Sequence, residues 1–132
     1  MVTLIDASVL IAVERGQLDL AAVSGTVDAE IAIAAMTASE LLNGVHRAAT
    51  AVQRTRREAF VEGLLARVPV IGFDLTAARV HARIWAELAS SGVVLGAHDL
   101  VIAATAIASG ARVATRNQRS FPSIPGLQWV AW

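Results

Sequence analysis

The chain has 132 residues, 55% of them hydrophobic, and its 11 basic residues balance 11 acidic ones. This length suits one domain with a core of its own, so we expect a single domain over residues 1–132. The absence of cysteine excludes disulfides and thiolate metal sites, and the neutral charge balance excludes the overall cationic field of many nucleic-acid-binding proteins.

The hydropathy pattern indicates neither a membrane protein nor an exported one. The longest apolar stretch, residues 100–111, is about a dozen residues long, against the roughly 20 needed to span a bilayer. Asp6 interrupts the first apolar run at once, so the sequence lacks the apolar region of a secretory signal. We therefore expect a soluble, cytoplasmic protein with no membrane partner.

The first predicted element is a buried strand that ends at an acid. Leu4 and Ile5 suit a central strand covered on both faces, and Asp6 follows where that strand should stop. Taken alone, Asp6 is best explained as the N-cap of a helix over residues 8–15, which Gly16 ends. The alternative is a position in the crevice at the carboxyl end of a parallel sheet, where α/β proteins bind ligands.

The next elements are a short helix and a second buried strand. A helix is predicted over residues 18–27, and Ile31 and Ile33 indicate the strand that follows. The sequence from Thr37 to Glu40 has the form of a capping box, which predicts that a helix begins at Thr37. In that interpretation Glu40 only completes the box.

The rest of the chain continues the alternation of helices and extended segments. In chain order we predict helix 50–67, extended segment 68–71, helix 74–90, helix 97–109, strand 112–114, loop 120–126 and strand 128–130. Asp74 is predicted to be an N-cap and nothing more. The apolar face of its helix is predicted to comprise Leu75, Ala78, Ala82, Trp85 and Leu88. This pattern predicts an α/β fold of three layers, with a parallel sheet flanked by helices.

Side chains with oxygen donors fall at the junctions between strands and helices, at Asp6, Glu40, Asp99 and Asn117. Such junctions share one edge of a parallel sheet, so we expect these side chains to converge. The simpler alternatives are that Asp99 only interacts favourably with the positive end of a helix dipole and that Asn117 only forms a turn. Ser8 and Thr115 lie nearby, and the simpler alternative for them is that their hydroxyls only form hydrogen bonds with the local backbone.

Convergence of the three acids has an electrostatic consequence. Carboxylates about 4 Å apart repel by roughly 4 kcal/mol per pair at an effective dielectric constant of 20. Such a cluster requires a cation. With oxygen donors, no cysteine and no closely paired histidines, the suited ion is Mg²⁺ or Mn²⁺.

Four motifs in order resemble those of the PIN-domain ribonucleases, and among them the VapC toxins of bacterial toxin–antitoxin modules. The motifs are Leu-Ile-Asp-Ala-Ser, Thr-x-x-Glu-Leu, His-Asp-Leu-Val-Ile-Ala-Ala-Thr-Ala and Val-Ala-Thr-Arg-Asn. The resemblance covers essentially the whole chain and implies one PIN-like domain over residues 1–132. It implies the toxin of a type II module, a metal-dependent endoribonuclease inhibited by a cognate VapB-like antitoxin.

The resemblance also implies roles for individual residues. Asp6, Glu40 and Asp99 would be catalytic, with Asp6 and Asp99 holding Mg²⁺ or Mn²⁺. Asn117 departs from the family, in which many members carry Asp; it keeps an oxygen ligand but removes a charge. The supporting polar residues would be Ser8, Thr115 and Asn117, and the candidate phosphate contacts are Arg15, Arg112, Arg116 and Arg119. For each arginine a salt bridge or an antitoxin contact is the alternative.

The implied partners are an RNA substrate, the antitoxin and a second copy of the chain. Helices 50–67 and 74–90 are expected to present Phe60, Leu64 and Trp85 to a homodimer interface. Receiver domains, haloacid-dehalogenase-type phosphatases and P-loop proteins normally use a lysine, and the chain has none. The remaining alternative is a catalytically degenerate PIN-fold scaffold or binding module, which Asn117 favours.

Overall fold

A computed structural model of the chain describes residues 1–25 and 30–132. The strands in these ranges are β1 (Val2–Ile5), β2 (Glu30–Ala34), β3 (Val70–Ile71), β4 (Arg112–Thr115) and β5 (Trp129–Ala131). The helices are α1 (Ala7–Glu14), α2 (Leu20–Gly25), α3 (Ala35–His46), α4 (Ala51–Arg67), α5 (Leu75–Ser90) and α6 (Ala97–Ala108), with a 3₁₀ helix at Phe121–Ser123. None of the helices in the described ranges is long and apolar enough to cross a membrane.

The described strands form a five-stranded sheet in the order β3-β2-β1-β4-β5, and every neighbouring pair is parallel. Successive residues of β1 point to opposite faces. Leu4 packs in a core with α5 and α6, whereas Ile5 packs in a second core with α1, α3 and α4. The predicted three-layer α/β architecture is therefore confirmed, with β1 at its centre.

Side chains cap two of the described helices, and the cap predicted at Asp74 is confirmed. The Thr50 hydroxyl accepts a hydrogen bond from the backbone N–H of Gln53 at 3.1 Å, at the start of α4. The Asp74 carboxylate accepts one from the N–H of Ala77 at 2.9 Å, at the start of α5. The predicted helix 18–27 corresponds to α2, but its last residues lie outside the described part of the chain.

The capping box predicted at Thr37 is wrong. Helix α3 begins at Ala35, directly after β2, with Ala34 as its N-cap. Thr37 is therefore inside the first turn and fully buried, and Glu40 lies in the second turn. The reason is that β2 runs into α3 without a loop, so packing of buried Ala34 sets the start of the helix, and the local capping pattern does not.

The apolar surfaces of α4 and α5 also differ from the prediction. The buried residues of α5 are Ala77, Ile84 and Leu88, whereas Leu75 and Trp85 are 67% and 60% exposed. The sequence of α5 thus carries two apolar stripes, one with Ala77, Ile84 and Leu88 and the other with Leu75 and Trp85. The first stripe is buried because it contacts the core beneath α6. The two α4 residues expected at a dimer interface, Phe60 and Leu64, are instead partly buried and pack against the second core.

Candidate active site

Asp6 lies at the carboxyl edge of the sheet and is buried, with only 6% of the residue exposed. Asp6 occupies the N-cap position of α1, but within the described chain its side chain makes no capping hydrogen bond. Its Oδ2 atom instead accepts hydrogen bonds from Ser8 Oγ at 2.7 Å and from Thr115 Oγ1 at 2.9 Å. The structure thus supports the crevice position for Asp6 rather than a capping carboxylate.

The Ser8 and Thr115 hydroxyls join the ends of β1 and β4. Their oxygens are 3.4 Å apart, and each also accepts a backbone hydrogen bond from the segment after β4. Arg116 N–H donates to Ser8 at 3.0 Å, and Asn117 N–H donates to Thr115 at 2.8 Å. Because each hydroxyl accepts from the backbone, its proton is left to point at Asp6. Ser8 and Thr115 therefore do two things: they accept hydrogen bonds from the backbone and they orient Asp6.

Asp6, Glu40 and Asp99 form an acidic cluster in electrostatic terms. Burial raises the pKa of Glu40 above its ordinary value of 4.5, and the charges of Asp6 and Asp99 raise it further. Burial likewise raises the pKa of Asp99 above 3.8, with a further contribution from Asp6, while a hydrogen bond from the Ser120 side chain acts in the opposite direction. His98 lowers both pKa values. The cluster is under electrostatic strain that a cation would relieve.

The donor set of the cluster fits a hydrated divalent ion. Glu40 Oε1 is buried and has no hydrogen-bond partner among the described residues, so it is an available acceptor. Across residues 1–25 and 30–132, no three Asp, Glu or His side chains are positioned to ligate one ion directly. Mg²⁺ usually keeps several waters and takes only one or two carboxylates, so contacts through water suit this arrangement.

Three neighbours of Asp99 were not predicted as site residues. Gly96 precedes α6, and a Cβ atom added there would lie 3.3 Å from Asp99 Oδ2, so glycine leaves room for the carboxylate. Ser120 reaches Asp99 from the segment after β4, and His98 adjoins it in sequence. His98 could have been found from the sequence, because it directly precedes Asp99 in the His-Asp-Leu motif. Gly96 and Ser120 carry no local signal, because only the tertiary structure brings them to Asp99.

A cavity of about 850 Å³ opens beside Glu40 and lies between α1, α3 and α4. Its lining includes Arg15, Arg56, Arg57 and His98 together with Glu40. We call it the arginine-lined cavity. One of its arginines is also structural, because Arg57 Nη1 donates a hydrogen bond to the carbonyl of Gly44 in α3 at 3.0 Å. The cavity places positive charge next to the acidic cluster.

The other predicted site residues have more local contacts. Arg112 Nε donates to Thr3 Oγ1 at 2.9 Å, at the amino end of β4 and away from the acidic cluster. Asn117 Oδ1 accepts a hydrogen bond from the N–H of Arg119 at 3.1 Å, which is the contact of a turn residue. Arg116 and Arg119 are exposed in this turn, at the same sheet edge as Thr115. Arg112 is therefore poorly placed for a phosphate contact at the acids.

Comparison with known proteins agrees with this architecture. The PIN domain family model matches residues 3–127. Ribonuclease VapC1 of Rickettsia felis is 34% identical over 125 residues, covering 95% of this chain and 92% of the relative. The tRNA(fMet)-specific endonuclease VapC of Salmonella typhimurium is 36% identical over 100 residues, covering 76% and 74% of the two chains.

The chain also has the same fold as a chain in a solved complex. The structure of DNA-bound VapBC from Salmonella typhimurium aligns with a TM-score of 0.89 and 28% identity, covering 100% of this chain and 98% of that one. The family match spans nearly the whole sequence, and the relatives exceed 30% identity over most of it. The chain therefore belongs to the PIN-domain family and, within that family, to the VapC ribonucleases.

Proposed function

We propose that the chain is the toxin of a type II toxin–antitoxin module and acts as a metal-dependent endoribonuclease. The observation that carries the proposal is the acidic cluster, in which buried Asp6 is oriented by Ser8 and Thr115 and lies in the electrostatic field of Glu40 and Asp99. The relatives named ribonuclease and endonuclease support the same activity. The proposed catalytic unit is residues 1–132.

Mg²⁺ is the proposed cofactor, with Mn²⁺ as its substitute. Asp6 and Asp99 would hold the ion, directly or through water, since their oxygens are hard ligands at the same sheet edge. When bound, such an ion supplies Lewis-acid chemistry, lowering the pKa of a water molecule and offsetting charge on the phosphate. The loss of one charge at Asn117 favours a single ion over two.

The side chains of the chain perform the positioning. Glu40 orients the attacking water with its carboxylate, which lines the cavity beside the cluster. Ser8 and Thr115 fix the rotamer of Asp6 by donating to its Oδ2 atom, so the other carboxylate oxygen would be free to hold the ion. The water oxygen attacks phosphorus, the bond to the 3′ oxygen breaks, and the product carries a 5′-phosphate. The 3′ oxygen takes up a proton as it leaves.

The arginine-lined cavity is the proposed path of the RNA backbone. Arg15 and Arg56 line it beside Glu40, and guanidinium groups bind phosphate in a bidentate manner. Arg116 and Arg119 are exposed in the turn after β4 and would extend the path. Because the net charge is zero, RNA binding would depend on this local patch.

A cleavage assay tests the proposal. Purified protein with Mg²⁺ is expected to cut RNA to fragments with 5′-phosphates, and a chelator should abolish the cutting. Gel analysis of end-labelled RNA and mapping of the fragment ends give the measurement. The turn contact of Asn117 favours the alternative of a degenerate scaffold. That alternative predicts no metal-dependent cleavage, whether or not the protein binds RNA.

The proposed partners are a VapB-like antitoxin and a second copy of the chain. The Salmonella typhimurium structure with which the chain aligns is a VapBC complex, which supports the antitoxin. For the dimer, the exposed stripe of α5 and the preceding residues offer an apolar surface, in which the Trp85 ring is tilted relative to the His81 ring with the ring centroids 5.6 Å apart. Its most exposed members are Leu75 at 67%, Trp85 at 60% and Phe73 at 42%. Covering it in a two-fold dimer would remove this area from water.

Light scattering checks the assembly. The free protein at tens of micromolar, on the order of the concentration at which weak dimers persist, is expected to have the mass of a dimer. Trp85→Asp should shift it toward the monomer, whereas Val52→Asp, at an exposed position of α4, should not. Added antitoxin should give a larger complex without nuclease activity. A monomeric wild type would contradict the dimer and leave the acidic cluster untouched.

A further inference from the structure

Thr37 is a buried polar residue that the proposed mechanism does not use. It is 0% exposed, and Thr37 Oγ1 has no hydrogen-bond partner among the described residues. Two other helical threonines of the described chain bond to the carbonyl four residues earlier. Thr105 donates to Val101 O at 2.8 Å, and Thr55 donates to Ala51 O at 3.0 Å. Thr37 is thus an exception that calls for a reason.

The position of Thr37 in α3 explains why it lacks this local bond. It is the third residue of the helix, so the residue four positions earlier, Ile33, belongs to β2. The hydroxyl therefore has no helical carbonyl behind it. A buried hydroxyl without a partner is unfavourable, and a valine of nearly the same shape would avoid the cost. A threonine at this position is best explained by a partner outside the helix backbone.

Glu40 follows Thr37 by three residues on α3 and therefore lies on the same face of the helix. Residues three apart on a helix have Cβ atoms about 5–6 Å apart and are surface neighbours. Glu40 Oε1 is the other buried side-chain atom without a partner in the described chain. A donor and an acceptor at this spacing suit one bridging water, with each hydrogen bond about 2.8 Å long.

We propose that Thr37 is a positioning residue for Glu40, and that Thr37 Oγ1 and Glu40 Oε1 share one buried water molecule. The water satisfies both atoms and holds the carboxylate in one rotamer, so that it meets the attacking water in a fixed direction. This inference rests on the proposed role of Glu40. Thr37 touches neither the metal nor the RNA and acts only through Glu40.

The test replaces the hydroxyl while keeping the shape. Thr37→Val is expected to lower kcat about 10- to 100-fold, the usual effect of losing a partner that orients a site residue, with KM for RNA and the melting temperature little changed. Thr37→Ser should restore most of kcat. The matched control is Thr105→Val, which removes an equally buried helical hydroxyl with a partner of its own, and it should leave kcat unchanged.

A high-resolution crystal structure gives a readout that is independent of activity. Electron density for a water within hydrogen-bond distance of both atoms is expected in the wild type and not in Thr37→Val. Wild-type kcat in Thr37→Val, or no shared water, would overturn the inference. If the valine variant does not fold, Thr37→Ala takes its place. Inactive Glu40→Gln beside fully active Thr37→Val refutes this inference alone, whereas fully active Glu40→Gln removes Glu40 from the proposed site.

Discussion

Replacing Asp6, Glu40 or Asp99 by the corresponding amide is expected to reduce RNA cleavage at least about 100-fold while the protein remains folded. Each amide keeps the shape of the side chain but removes a charge that holds the ion or orients the water. The measurement is the cleavage rate at saturating Mg²⁺, with circular dichroism to confirm folding. Asp74→Asn is the matched control, because Asn is an equally good N-cap and Asp74 lies outside the cluster. Full activity in any one of the three variants would remove that residue from the proposed site.

The same variants should be no less stable without metal, and the effect of Glu40→Gln should depend on pH. The pKa of Glu40 is raised in the folded state above its ordinary value of 4.5. Below that value the carboxyl is protonated in both states and carries no penalty. As pH rises from 4.5 through the raised folded pKa, the unfolded chain ionises first, so folding loses stability in the wild type alone.

The advantage of Glu40→Gln over wild type should therefore grow across that window and then level off. Urea unfolding in the presence of a chelator, at several pH values on both sides of the window, measures it. Asp74→Asn should show no such growth. A difference between Glu40→Gln and wild type that stays constant with pH would mean that Glu40 is not held in a strained, partly buried state.

Mg²⁺ or Mn²⁺ is expected to raise the melting temperature by about 10 °C at concentrations near 100 times the dissociation constant. A ligand that binds only the folded state adds about 2.7 kcal/mol under these conditions. For a domain of this size each 1 kcal/mol shifts the melting temperature by roughly 4 °C. Part of the gain is relief of repulsion within the acidic cluster, since the charge of Asp6 adds to burial in raising the pKa values of Glu40 and Asp99.

Thermal scans with increasing metal measure this stabilisation. The shift should vanish in Asp6→Asn, which removes the most buried carboxylate, and should persist in Asp74→Asn. An equal shift in Asp6→Asn would place the ion elsewhere on the protein. Calcium is a useful comparison, since its larger radius and higher coordination number fit a site built from a few carboxylates and water less well.

The sequence by itself determined the order of elements and the edge of the sheet at which the acids lie. Alternating apolar residues and turn-forming glycines are local signals, and they located β1, β4 and the helices to within a few residues. Parallel pairing then follows from the alternation of strands and helices, and it predicts that Asp6 and Asp99 approach each other. The structure places them within electrostatic reach, and their catalytic roles stay a prediction.

Only the tertiary structure decided which surfaces are buried and which polar atoms lack partners. The start of α3 at Ala35 was set by its direct connection to β2, against the local capping pattern, and this leaves the Thr37 hydroxyl without a helical carbonyl. The choice between the two apolar stripes of α5 depended on the core beneath α6. The Ser120 contact with Asp99 joins residues far apart in the chain. Such long-range contacts leave no periodic trace in the sequence, because each depends on how separate elements pack together.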